Sequence, residues 1–189
     1  LNIIDNFQHK GQYSSVLTFI NRCQTAMGKR ELNSRLLHPV TDIDHLNTEY
    51  AIIDYALLHY DRLSFIRDDF SQIRDMEKMY RKIFMKHVTP AEFISFYQDI
   101  KSALSVFNQI QEDAILMEYI NKNIPECVEK NCKLLIDLFE RTFDIEKAQD
   151  ITDIHPEINC FKKGFSPYLD TIEVEHNKAI DGLKKVQQS

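Results

Sequence analysis

Apolar residues recur at alternating three- and four-residue spacing through Ile43, Leu46, Tyr50, Ile53, Leu57 and Tyr60. An α-helix returns a side chain to the same face every 3.6 residues, so this run forms one continuous stripe. A strand, with its period of two, would scatter the same residues over both faces. Other runs repeat the pattern: Leu63, Ile66, Phe70 and Ile73, then Met76, Tyr80 and Ile83 after a kink, and Phe93, Phe96, Tyr97, Ile100, Leu104 and Phe107. Four glycines and five prolines in 189 residues leave little punctuation for a many-turned β fold. The sequence predicts an all-α, multi-helix domain large enough to bury a core. Strand-like alternation is confined to 1–8 and 157–161.

Helix starts are written into the sequence. Residues 1–11 read as an extended entry ending at Gly11. Ser14 or Ser15 caps a short helix carrying Val16, Leu17 and Ile20, and Thr25 caps the next, which ends at Pro39. Gly28 inside that helix costs stability, so it marks a close backbone approach. Thr41-Asp42-Ile43-Asp44 reads as a variant capping box. In Thr89-Pro90-Ala91-Glu92, Thr89 caps, Pro90 takes the first helical position, and Glu92 reaches back to the cap. Helices follow around 114–124 and 126–143, separated by Pro125. Residues 144–163 read as an acidic loop. Ser166 and Pro167 open a final helix whose stripe, Leu169, Ile172, Ala179 or Ile180, Leu183 and Val186, runs to the end without a C-cap. That uncapped end implies that the native chain continues, and Leu1 in first position reads as a boundary within a longer protein.

Several classes of function are disfavoured. A net charge of −6 argues against a strong nucleic-acid binder, because phosphate binding rests on clustered Lys and Arg. No basic segment followed by an apolar core marks a signal peptide, and no run reaches the roughly 20 apolar residues of a membrane span. Cys23, Cys127, Cys132 and Cys160 have neither disulfide-framework nor zinc spacing and read as buried free thiols. Gly28-Lys29 is no phosphate loop: position 23 is Cys and Arg30 stands where a magnesium-binding hydroxyl belongs. Glu173-x-x-His176 has the spacing of a di-iron bundle ligand pair but no second copy, so it reads as a surface pair. His38, His59, His87 and His155 are scattered; His38 and His87 fall near helix C-termini, where capping is the default role. Lys29, Arg30 and Arg35, like the pairs Lys162-Lys163 and Lys184-Lys185, read as solvated faces.

The run Cys23-Gln24-Thr25-Ala26-Met27-Gly28-Lys29-Arg30-Glu31-Leu32, followed by Arg35-Leu36-Leu37-His38-Pro39-Val40-Thr41-Asp42-Ile43, resembles the opening of the helical core, or lever, domain of the MutS family of DNA mismatch-repair proteins. There a Thr-x-x-Gly-x-Arg-x-Leu helix leads into a Leu-x-x-Pro break. Asp75-Met76-Glu77-Lys78 resembles the family's Asp-Leu-Glu-Arg stretch, and Thr89-Pro90 a core-helix start. Gly164-Phe165-Ser166-Pro167-Tyr168-Leu169-Asp170 is similar to the Gly-Tyr/Phe-x-x-x-Leu-Asp segment that begins the long helix toward the DNA clamp. Residues 108–160 match in helical character only.

This resemblance implies a single domain over 1–189 that is a mechanical part rather than an enzyme. The mispair-reading Phe-x-Glu motif and a Walker A loop are absent from the chain. ATP and magnesium are implied for the full-length parent, together with double-stranded mismatched DNA as its partner, a dimeric state, an intracellular location and no membrane. No catalytic, cofactor or metal residue transfers. By resemblance, Lys184 and Lys185 lie on the arm toward the clamp and are candidates for a weak DNA-backbone contact. Gly164 is the candidate pivot of that arm, 164–189. The competing reading is a stand-alone α-helical adaptor that binds a protein along an exposed groove; a bundle metalloenzyme comes third.

Overall fold

A computed structural model describes residues 2–4, 11, 13–125, 127–149 and 159–187. Among them the regular elements are all α-helical: α1 (Val16–Ile20), α2 (Ala26–Leu37), α3 (Ile43–Leu58), α4 (Tyr60–Ser71), α5 (Met76–Phe84), α6 (Pro90–Ile110), α7 (Ala114–Asn123), α8 (Val128–Thr142), α9 (Ile145–Gln149) and α10 (Pro167–Gln187). None of the described helices is long and apolar enough to cross a membrane. The all-α expectation holds. Most of residues 1–11, and the extended character expected there, lie outside the described residues, as does His155.

Local chemistry explains the helix starts. Ser15 and Thr18 form a reciprocal capping box on α1, and Thr25 Oγ1 accepts the Gly28 N–H at 3.0 Å. Asp42, not Thr41, caps α3: its carboxylate accepts the N–H groups of Asp44 and His45. Thr89 and Glu92 bond each other's backbone N–H, both at 3.2 Å, as a capping box should. The expected kink before Met76 is a full break, because Asp75 caps a new helix through the Lys78 N–H. At the end of α5, Lys86 takes a left-handed φ of 57° and the His87 N–H closes back on the Lys82 carbonyl. That closure is a Schellman-type stop made without glycine. His38 is the C-cap of α2.

The chain divides into two compact units. The first comprises 1–88 and 98–132, the second 89–97 and 133–189. In the first unit α1 packs on α2 and α3 on α4. Its buried apolar side chains, Ile73, Ile100 and Val106, come from the segment just after α4 and from α6. The stripe that predicted α3 is not its buried face. Ile43, Tyr50, Ile53, Leu57 and Tyr60 are exposed, and the half-buried side is Leu46, Glu49, Ile52, Tyr55 and Ala56. Periodicity shows that a helix has an apolar side but not which edge of it the fold covers.

In the second unit Ile94, Ala148 and Cys160 form the core, with Phe143 and Ile145 packed against it. Phe139 lies at its side, with ring centroids 4.5 Å from Phe93 and 5.5 Å from Tyr97. Phe143 and Phe161 pair in an isolated antiparallel bridge, flanked by Asp144 N–H to Cys160 O at 2.8 Å and Lys162 N–H to Thr142 O at 2.9 Å. The stretch read as an acidic loop, 144–163, therefore contains α9 and part of this core; five helical residues are too few to show a period in sequence. Among the cysteines Cys160 alone is buried. Cys23 and Cys132 are half-buried and Cys127 is exposed, against the expectation that all are buried.

Candidate functional site

The motif residues that carry the resemblance do identifiable physical work. Thr25 and Gly28 form one joint: a Cβ at Gly28 would lie 3.0 Å from Thr25 Oγ1, the atom that caps the helix. The close approach expected at Gly28 is thus to its own cap and to Cys23. Two residues further, Arg30 spans 45 positions of sequence. Its guanidinium donates to both Asp75 oxygens, at 2.7 and 2.9 Å, and to Glu77 Oε2 at 2.7 Å. A planar guanidinium can pair bidentately with one carboxylate and still donate to a second, a fork that an ammonium lacks. Arg30 therefore ties α2 to the N-terminus of α5. Its hydrogen bonds, then that of the Lys78 N–H, hold the Asp75 carboxyl well below the usual carboxylate range, and the acid in turn raises the guanidinium. Two of the sequence segments singled out above meet at this contact.

Arg35 extends the same logic. It donates to Glu31 at 2.8 Å and to Glu49 at 2.9 Å, and Glu49 also accepts the Tyr119 hydroxyl proton, so α2, α3 and α7 share one polar knot. That hydroxyl, then Arg35, lowers the Glu49 carboxyl. Arg30 and Arg35 are exposed, as Lys29 is and as the sequence reading had them, but both also close on acids. Asp113, buried, caps α7 through the Ile115 and Leu116 N–H groups and accepts the Tyr55 hydroxyl at 2.7 Å and the Arg62 guanidinium. Asp99, also buried, accepts from the Arg74 backbone N–H and Nε, each at 3.2 Å. His59 stacks on Tyr55 with a centroid distance of 4.4 Å, and its buried Nδ1 has no hydrogen-bond partner among the described residues.

At the head of α10, Gly164 has φ +88°, a conformation that L side chains rarely adopt. Its N–H donates to the Asp170 carboxylate at 3.0 and 3.3 Å. The first and last positions of Gly164-Phe165-Ser166-Pro167-Tyr168-Leu169-Asp170 are therefore two halves of one turn. Glu173 accepts from Asn159 Nδ2 at 2.9 Å, so Glu173-x-x-His176 is not a solvated pair: Glu173 fastens α10 to the preceding segment while His176 is exposed. Lys184 and Lys185 stand exposed in the last turn of α10, well away in sequence from every polar knot above. Among the described residues no group of three or more His, Cys, Asp or Glu is placed to hold a metal ion.

Sequence reading missed the long-range ties. Arg30–Asp75, Glu49–Tyr119 and Asp113–Tyr55 join residues 45 or more positions apart, and nothing local announces them. The one usable signal was that Arg30 and Asp75 both stand inside segments with family resemblance.

A family model described as MutS domain III matches residues 1–185. Among curated proteins, the chain is 29% identical over 181 residues to a DNA mismatch repair mutS homolog of Acanthamoeba polyphaga mimivirus, covering 92% of this chain and 16% of that protein. It is 26% identical over 172 residues to the DNA mismatch repair protein MutS of Caldanaerobacter subterraneus subsp. tengcongensis, covering 91% and 19%. It is 24% identical over 188 residues to that of Treponema denticola, covering 98% and 20%. The chain thus spans a fifth or less of the length of these relatives. No solved structure matches it.

Proposed function

The chain belongs to the MutS family as its domain III, and from that premise we propose that it is a mechanical lever, coupling a DNA clamp to an ATPase domain within a longer protein. The observation that carries this reading is the use made of the buried and motif acids. Asp75, Glu49 and Asp113 are each spent on holding one helix to another or on capping a helix start, and Asp99 holds α6 to the α4–α5 connection at Arg74. Such ties resist relative sliding of packed helices, and packed elements pass displacement on as rigid-body motion rather than absorbing it.

In this reading the parent is a dimer that binds double-stranded mismatched DNA and uses ATP with magnesium, and this domain supplies no catalytic group. α10 is the moving arm, Gly164 its pivot, and Lys184 and Lys185 touch the DNA backbone weakly. Gly164→Pro tests it. Proline locks φ near −65°, incompatible with +88°, and removes the N–H that Asp170 accepts. In the full-length parent the variant is expected to bind ATP normally yet release its DNA clamp without ATP dependence. Unchanged release kinetics, with the fold intact by circular dichroism, would remove Gly164 from the pivot role.

A further inference from the structure

Beyond the mechanical role, an open groove of about 470 Å³ lies in the first unit, where the α1–α2 connection meets α4. Ile20, Leu32 and Phe70 give it an apolar wall, Gly28 opens its floor, and Arg22 and Arg67 line it as cations. Ile20 and Phe70 are 41% and 40% exposed, so the wall faces solvent.

The two arginines differ from the other arginines of this unit described above. Arg30, Arg35, Arg62 and Arg74 each close on a carboxylate. Among the described residues neither Arg22 nor Arg67 does: Arg67 donates to the Arg22 carbonyl at 3.1 Å, and Arg22 to its neighbour's carbonyl, that of Asn21, at 3.3 Å. The chain has a net charge of −6 and acids at hand, yet leaves these two guanidiniums uncompensated beside apolar surface. A ligand complementary to that combination carries a large apolar side chain with a carboxylate close beside it. An open groove, rather than an enclosed cavity, suits an extended segment that passes over it.

We propose that this groove is a docking site for a short acidic–apolar peptide segment of a partner protein. One Leu, Phe or Met of the peptide enters between Ile20, Leu32 and Phe70, and flanking Asp or Glu side chains meet Arg22 and Arg67. Guanidinium–carboxylate pairs at such a rim set orientation and salt dependence, while the apolar anchor supplies the larger share of affinity. The assignment does not depend on the lever role: it concerns a surface of the first unit alone.

Fluorescence anisotropy on the full 189-residue chain tests it. The probes are fluorescein-labelled octapeptides with one central Leu, Phe or Met and Asp or Glu on both sides, against the same set with Asn and Gln. The acidic set is expected to bind in the micromolar range, to weaken as salt is raised, and to lose about tenfold in affinity in the R22E/R67E double variant. Both residues are exposed, so that variant should keep its fold, which circular dichroism checks. Phe70→Ala should weaken binding of the acidic peptides without removing its salt dependence. The proposal fails if the acidic peptides bind no better than their amides, or if R22E/R67E binds them unchanged. It also fails if a DNA duplex displaces them from the groove, or if the groove is instead covered by a second copy, seen as self-association that R22E/R67E abolishes.

Discussion

Asp113→Ala is the substitution whose cost the structure specifies best. The carboxylate is 5% exposed and does three things at once. It caps α7 through two backbone N–H groups, a role worth about 1 kcal/mol. It accepts the Tyr55 hydroxyl, another ~1 kcal/mol for a half-buried group left without its acceptor. It neutralises Arg62, whose side chain is 57% exposed, so that contribution is held to about 0.5 kcal/mol. The cavity left by the side chain brings the expected loss to about 3 kcal/mol. With a urea slope of about 2 kcal/mol per molar, the unfolding midpoint falls by about 1.5 M. Asp113→Asn keeps an oxygen for the α7 cap and should lose only about 1 kcal/mol. Urea unfolding by circular dichroism measures both, and hydrogen exchange at the Ile115 and Leu116 amides locates the damage in α7. If Ala and Asn cost the same, or Ala costs under about 1 kcal/mol, the cap-and-tie account of Asp113 is wrong.

Arg30→Ala should raise the Asp75 titration midpoint toward the ordinary carboxylate range, read by carboxyl NMR, with the Lys78 N–H keeping it somewhat low. Because the folded value is depressed, the contact's contribution is full above the unfolded value of about 4 and fades as pH falls toward the depressed one; the variant should lose that acid dependence. Ile100→Ala, at a side chain 1% exposed, should cost about 3 kcal/mol in the same urea assay. Burial pushes the Cys132 and Cys160 thiols up, so iodoacetamide at pH 8 should modify exposed Cys127 first and Cys160 last, as peptide mass spectrometry will show.

What the sequence announced was local. Ser15, Thr25, Thr89 with Glu92, and Pro167 mark helix starts because a cap acts within one turn, and those starts stand where the residues put them. The bonds between helices were silent: no spacing rule foretells that Arg30 meets Asp75, or that Asp113 meets Tyr55. α9 was missed because Ile145–Gln149 is shorter than two turns. The α3 stripe announced a helix but not the face the fold covers, since Tyr50 and Leu57 are 59% and 65% exposed. The candidate pivot was found through resemblance; its positive φ and its Asp170 partner give that resemblance a physical reason.

The exposure of α10 carries a consequence for its melting. Beyond Glu173, Ile180 is its one half-buried described side chain, while Val174, Leu183 and Val186 are 50%, 68% and 72% exposed. Tertiary packing normally supplies most of a helix's stability, and an isolated stretch this short is marginal in water. The head of α10 is fastened at Asp170 and Glu173, so it should unfold with its unit; the distal turns answer only to helix–coil statistics. They should shed ellipticity gradually on warming, well before the cooperative transition, and regain it on contact with any surface that buries Leu183 and Val186. In isolation, then, this arm is stiff at its root and yielding at its tip.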